Sequence, residues 1–148
     1  DPKNKASEHV LTPIADPNRL DQTPTGVMRI DVDHPGGGTL MVRYTVKSRY
    51  EINRPRIILQ NAKPGQTDQK EVLITSNYGD KLEIAESSSR SGIMKIVKQE
   101  IEDNALKLTI DITTPATENS KRYFSDELKI TFENGHQISI RATGWIKQ

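Results

Sequence analysis

Apolar and polar residues alternate along most of this chain with a period of two, the spacing at which successive side chains point to opposite faces of a β-strand. Met28, Ile30 and Val32 alternate with Arg29, Asp31 and Asp33, and Leu40, Val42, Tyr44 and Val46 alternate with Met41, Arg43 and Thr45. The His34-Pro35-Gly36-Gly37-Gly38 stretch between them predicts an antiparallel hairpin with a glycine-rich loop. A second unit opens with an apolar strand over residues 52–59, a Pro64-Gly65 turn and a strand running out at Asn77. Leu82 and Ile84 come next, and then Glu86 to Gly92, a serine-rich stretch that composition reads as a loop. Ile93, Met94, Ile96 and Val97 predict a short strand. Leu106, Leu108, Ile110 and Ile112 carry the cleanest alternation of all. Leu128, Ile130 and Phe132 lead into Asn134-Gly135, and Ile138, Ile140 and Ala142 lead out of it towards Gly144, Trp145 and Ile146. Asn-Gly between alternating strands predicts a type I′ turn, because both residues tolerate positive φ.

No apolar stripe persists at helical spacing for three turns, so the pattern predicts an all-β chain. About nine short strands separated by turn signals predict an immunoglobulin-like antiparallel β-sandwich of about 7–9 strands. Residues 1–25, punctuated by Pro2, Pro13, Pro17 and Pro24, read as an extended tail. Residues 26–48 form the hairpin and residues 49–148 the sandwich. A lone hairpin is marginal in water. Residues 26–48 are therefore expected to dock Met28, Ile30, Val42 and Tyr44 on the sandwich, the alternative being that they close a preceding repeat.

A length of 148 residues suits one domain with a tail or partial neighbour. Folding at that size removes roughly two thirds of the extended-chain surface from water. Only 33% of residues are hydrophobic and 28% are charged, which leaves much polar surface. Twenty-one basic and twenty acidic residues are interleaved, for a net charge of +1. That pattern supplies no one-signed field for nucleic acid or an anionic membrane. There is no cysteine, which removes disulfides, thiolate metal sites and cysteine nucleophiles. No run approaches the ~20 apolar residues of a membrane-spanning helix. A start at Asp1 fits either a processed secreted protein or a trimmed fragment.

Candidate chemistry is sparse. His9, His34 and His136 show no metal-ligand spacing, although His34 and His136 could meet at one end of a sandwich beside Asp31 and Asp33. The serine run lacks the strand-to-helix elbow of a serine nucleophile. Asp126 and Glu127 are adjacent on a strand and point to opposite faces, which makes them a poor acid-base pair. No catalytic residue, metal site or cofactor is expected. Tyr44 and Phe132 stand in register with core positions, and Trp145 on the last strand reads as packed or at a rim. Tyr78, Tyr123, Phe124 and Trp145 are the candidate interaction surface, with Tyr123-Phe124 a candidate stacking platform.

The order Ile52-x-x-Pro55-x-x-Ile58, then Lys63-Pro64-Gly65-Gln66, then Val72-x-Ile74-Thr75-Ser76-Asn77-Tyr78-Gly79 resembles a known family. It is similar to the opening of bacterial immunoglobulin-like domains of unknown function, near the Hydin-like and major-sperm-protein-like sandwiches. Residues 128–145 resemble their closing hairpin, and the likeness covers roughly residues 50–147. The Ser76-Asn77-Tyr78-Gly79 variety looks most like secreted proteins of planctomycete-type bacteria. Many relatives carry a cysteine-rich signature after the second strand, and this chain has none.

The resemblance implies an extracytoplasmic location, in the periplasm or cell envelope. It also implies a non-catalytic module for protein interaction, assembly or scaffolding. The expected partner is a protein, with edge-strand pairing as the route to it. The alternative is a sandwich that binds carbohydrate or a small ligand through exposed aromatics. An enzyme around His34 and His136 is the third reading.

Overall fold

The computed structural model of the protein describes Val10, Thr12 and residues 25–32, 38–116 and 122–146. The chain divides into two compact units, residues 1–48 and 49–148. In the first, β1 (Thr25–Val32) pairs antiparallel with β2 (Gly38–Thr45), in register from Thr25 opposite Thr45 to Val32 opposite Gly38. Opposite residues share a face, so Gly26, Met28 and Ile30 stand across from Tyr44, Val42 and Leu40. Tyr44 does not fill a core position; its side chain is exposed. A Cβ on Gly26 would lie 2.3 Å from the Tyr44 hydroxyl, so the ring covers the bare backbone of that glycine. On the other face, Arg29 Nε and Thr39 Oγ1 both donate to Asp31 Oδ1, at 2.9 and 2.8 Å.

The second unit holds eight strands. They are β3 (Tyr50–Ile52), β4 (Arg56–Ala62), β5 (Thr67–Ser76), β6 (Ile84–Ser89), β7 (Met94–Glu102), β8 (Ala105–Thr113), β9 (Tyr123–Phe132) and β10 (Gln137–Ile146). One sheet runs β3-β5-β8-β7 and the other β4-β10-β9-β6. Every pairing is antiparallel except β4 with β10, which is parallel. The first strand is thus divided between the sheets, and the order is that of an immunoglobulin-like sandwich. Together with the hairpin, the described residues form ten strands and no helix.

Period-two alternation builds the core. Val72, Ile74, Leu106, Leu108, Ile110 and Ile112 from one sheet meet Ile57, Leu59, Leu128, Ile130, Phe132 and Ile140 from the other. Tyr50 and Phe132 touch across the two sheets with ring centroids 4.3 Å apart. No disulfide joins the layers, since the chain has no cysteine. Gly144 lies where a Cβ would come within 2.4 Å of the Phe124 ring, so the strand crosses that ring only as glycine.

Three local expectations change. The turn between β9 and β10 is not type I′, because Asn134 keeps a negative φ and only Gly135 is positive, at 80°. Gly135 N donates to Phe132 O at 2.8 Å and Phe132 N to His136 O at 2.9 Å, the pattern of a longer hairpin closed by one left-handed glycine. Asn134 instead spends its side chain, accepting from His136 N and donating to the Tyr50 hydroxyl at 2.6 Å. Ser87, Ser88 and Ser89, expected in a loop, finish β6. β7 extends to Glu102 because a bulge between Ile96 and Lys98 inserts Val97, which hides the rest of the strand from a period-two reading.

Candidate functional site

The two outward sheet faces differ in how their charges are used. On the β3-β5-β8-β7 face the polar groups satisfy one another. Lys107 meets Glu71 at 3.1 Å, Lys98 meets Glu100 at 2.7 Å, and Gln69 donates to Asp111 at 2.9 Å. The hydrogen bond to Glu71 holds the Lys107 ammonium above its ordinary range, and that to Lys98 holds Glu100 below its own.

The β4-β10-β9-β6 face is arranged otherwise. Strand register sets Arg56 beside Arg141 and Arg141 beside Glu127, and Arg90 N donates to Glu127 O at 3.0 Å, just past the end of β6. One row along, Lys129 lies between Ser139 and Ser88. On the other side come Ile58, Thr143 and Ser125, and beyond them Trp145 beside Tyr123. Four cations thus share this face with Glu86 and Glu127, and Glu83 and Glu133 adjoin it past the ends of β6 and β9. None of the four forms an ion pair with a described residue. Two shallow depressions flank Arg90 and Glu127. One of about 490 Å³ is lined by Arg90, Ser91, Ser125, Asp126, Glu127 and Arg141, and one of about 300 Å³ by Ser88, Arg90, Glu127 and Lys129.

Asp126 holds this site from below. It is 2% exposed and points inward, while Glu127 points outward. Its carboxylate accepts from Ser89 Oγ and from the backbone N–H groups of Ser91, Ile93, Met94 and Glu127. These bonds fasten the crossing from β6 to β7, the segment that carries Arg90. Burial raises the Asp126 pKa, but the hydrogen bonds from Ser89, Ser91, Glu127 and Met94 outweigh it, and the carboxyl sits below its ordinary range.

The expected aromatic surface is partly reassembled. Tyr123 and Trp145 are 49% and 54% exposed, with ring centroids 5.3 Å apart and planes at 62°. Phe124 is not on this surface. It follows Tyr123 on one strand, so it faces the core and is 6% exposed. The stacking neighbour of Tyr123 is therefore Trp145 on β10. Tyr78 is exposed in the turn after β5, beside the Ser76–Tyr50 pairing. That places it at the Phe132 end of the sandwich, roughly 30 Å of strand away from Tyr123.

His9 and His34 lie outside the described residues, and with them the expected pairing of His34 with His136. The His136 ring meets Tyr50 edge-on at 5.2 Å. Among the described residues no group of three His, Asp or Glu gathers as metal ligands, and no helix is long and apolar enough to cross a membrane. The sequence alone did not mark Arg56, Arg90, Lys129 and Arg141 as a group. They are dispersed over 86 positions, 56 to 141 inclusive, among interleaved acids, and only the strand order brings them together.

Two solved structures are similar to this chain. The "GspB Siglec domain" matches with a TM-score of 0.46 and 14% identity, over 68% of this chain and 58% of that one. The "Sialic acid binding region of Streptococcus Sanguinis SK1 adhesin bound to 3'sLn" matches with a TM-score of 0.41 and 13% identity, over 83% of this chain and 37% of that one. This chain therefore spans under two thirds of the length of either. No family model and no curated protein matches it.

Proposed function

We propose that this protein is a non-catalytic, extracytoplasmic module that binds carbohydrate on the outward face of β4-β10-β9-β6. The observation that carries this reading is the exposed Tyr123–Trp145 pair, edge to face, with Thr143 and Ser125 in the next row and Arg141 in the row after. An exposed indole offers an apolar plane on which the C–H face of a sugar ring stacks. Ser125 and Arg141 alongside supply the directional hydrogen bonds that fix its orientation. A shallow depression suits a ligand laid along a surface more than a small molecule enclosed on all sides.

A glycan array probed with the wild-type chain and Trp145→Ala tests this. Binding to a defined glycan set by the wild type, lost at least tenfold in the variant, supports the reading. No glycan retained by the wild type would overturn it.

A second reading has its own observation. β6 lies at the edge of its sheet, and the bulge after Ile84 leaves the stretch from Glu86 to Ser89 regular. A protein partner could add a strand there. Insertion of proline at Ser87 would remove such binding and leave glycan binding through Trp145 intact.

A further inference from the structure

The row Arg56–Arg141–Glu127–Arg90 runs across the strands, and at about 4.8 Å per strand it is about 14 Å long. Glu127 divides it into two cationic positions, Arg56 with Arg141 on one side and Arg90 on the other, and Lys129 stands one row along on the same strand as Glu127. None of these four cations is neutralised by a described partner, whereas Lys98 and Lys107 on the opposite sheet are. Four unpaired cations gathered on one face of a chain of net charge +1 make that face locally positive. Guanidinium groups pair bidentately with two adjacent oxygens of an oxyanion, planar or tetrahedral, so each position fits a carboxylate or sulfate.

We propose that the ligand of this face is an anionic linear polysaccharide lying across the strands, with its charges on alternate sugars. The proposal rests on the carbohydrate reading above and narrows it. The two cationic positions are two strand spacings apart, ~10 Å, with a carboxylate between them. A polymer with one acid per disaccharide repeats on that scale and places a neutral sugar over Glu127. A polymer charged on every sugar would bring an anion against that carboxylate.

The experiment is affinity electrophoresis of the full chain in gels containing hyaluronan (one carboxylate per disaccharide), polygalacturonate (one per sugar), dextran sulfate or neutral dextran. Hyaluronan is expected to retard the protein more than polygalacturonate or dextran does. Arg141→Ala and Arg90→Ala should each weaken hyaluronan binding about tenfold at low salt. Each should also flatten the salt dependence, because fewer counterions are released. Glu127→Gln should raise affinity for polygalacturonate and leave hyaluronan nearly unchanged.

Lys95→Ala, on a strand of the other sheet, is the control for overall charge and is expected to have no effect. An equal loss in Lys95→Ala and Arg141→Ala would overturn the proposal, as would tighter retention by single-stranded DNA than by any glycan. Retention of dextran alone, sensitive to Trp145→Ala but not to Arg141→Ala, would overturn the anionic ligand and keep the carbohydrate reading. Retention in none of the gels would remove both. Dextran sulfate, charged on every sugar, is expected to be bound more weakly than hyaluronan, and stronger retention by it would overturn the alternate spacing. Thermal melts of each arginine variant, expected at the wild-type midpoint, separate lost binding from lost fold.

Discussion

Asp126 is where a single side chain decides the most. A buried carboxylate is costly unless its lone pairs are filled, and here one hydroxyl and four backbone N–H groups fill them. Asp126→Asn keeps the shape but turns an amide N–H₂ towards those donors. We expect a loss of about 3 kcal/mol in urea unfolding, more than a surface change would give. The sign of the pH effect follows from the lowered folded-state pKa. The stabilisation is complete above the unfolded-state value and is lost as pH falls through the lower folded-state one. Acid unfolding should therefore be flatter in Asp126→Asn than in the wild type over that interval, and a steeper profile would count against this account. The sequence allowed the inference that Asp126 and Glu127 face apart. It did not reveal the anchor, because four of the five donors come from the Ser89–Met94 segment, more than 30 positions away.

At the scale of elements, alternation located most strands, and it failed where the backbone breaks period. The Val97 bulge hides the second half of β7, and the serines of β6 look like a loop because strands at a sheet edge tolerate polar residues on both faces. The Asn134-Gly135 hairpin was legible as a turn but not in its type. Asn134 is committed to Tyr50 of the other sheet, and that tertiary bond selects a conformation the dipeptide alone does not. Asn134→Ala and Tyr50→Phe should each destabilise by about 1 kcal/mol, and the double variant by clearly less than their sum. Full additivity in denaturant titrations would mean the bond joins nothing. Trp145 and Tyr123 show the same limit. Each was legible as an aromatic on a strand, but their pairing depends on β9–β10 register rather than on neighbourhood in the chain.

For the molecule as a whole, the all-β immunoglobulin-like architecture was legible because twelve or more inward positions obey one rule. Which outward residues meet was not legible, because strand order in a sandwich is not sequence order. Every member of the buried core lies between Tyr50 and Ile146. A fragment of residues 49–148 is therefore expected to melt cooperatively within about 3 °C of the transition of the full chain. A midpoint lower by ten degrees or more would show that residues 1–48 contribute to the sandwich's stability. Binding of the anionic ligand should survive in the same fragment, since Arg56, Arg90, Lys129 and Arg141 all belong to it.

The parallel pairing of β4 with β10 has a mechanical consequence. Tension applied at the two ends of this unit passes through the short β3 to the beginning of β4 and leaves β10 from its end, and in parallel strands those points lie at opposite ends of the ladder. The hydrogen bonds from Arg56–Arg141 to Ala62–Ile146 are then loaded together in shear, not opened one after another like a zip. A surface module anchored at one end and holding its ligand on this same sheet would meet pulling forces along that line. Single-molecule stretching should show one abrupt rupture per unit, and Thr143→Pro should lower its force, because the N–H of Thr143, like that of Arg141, faces β4 and is a rung in the middle of the ladder.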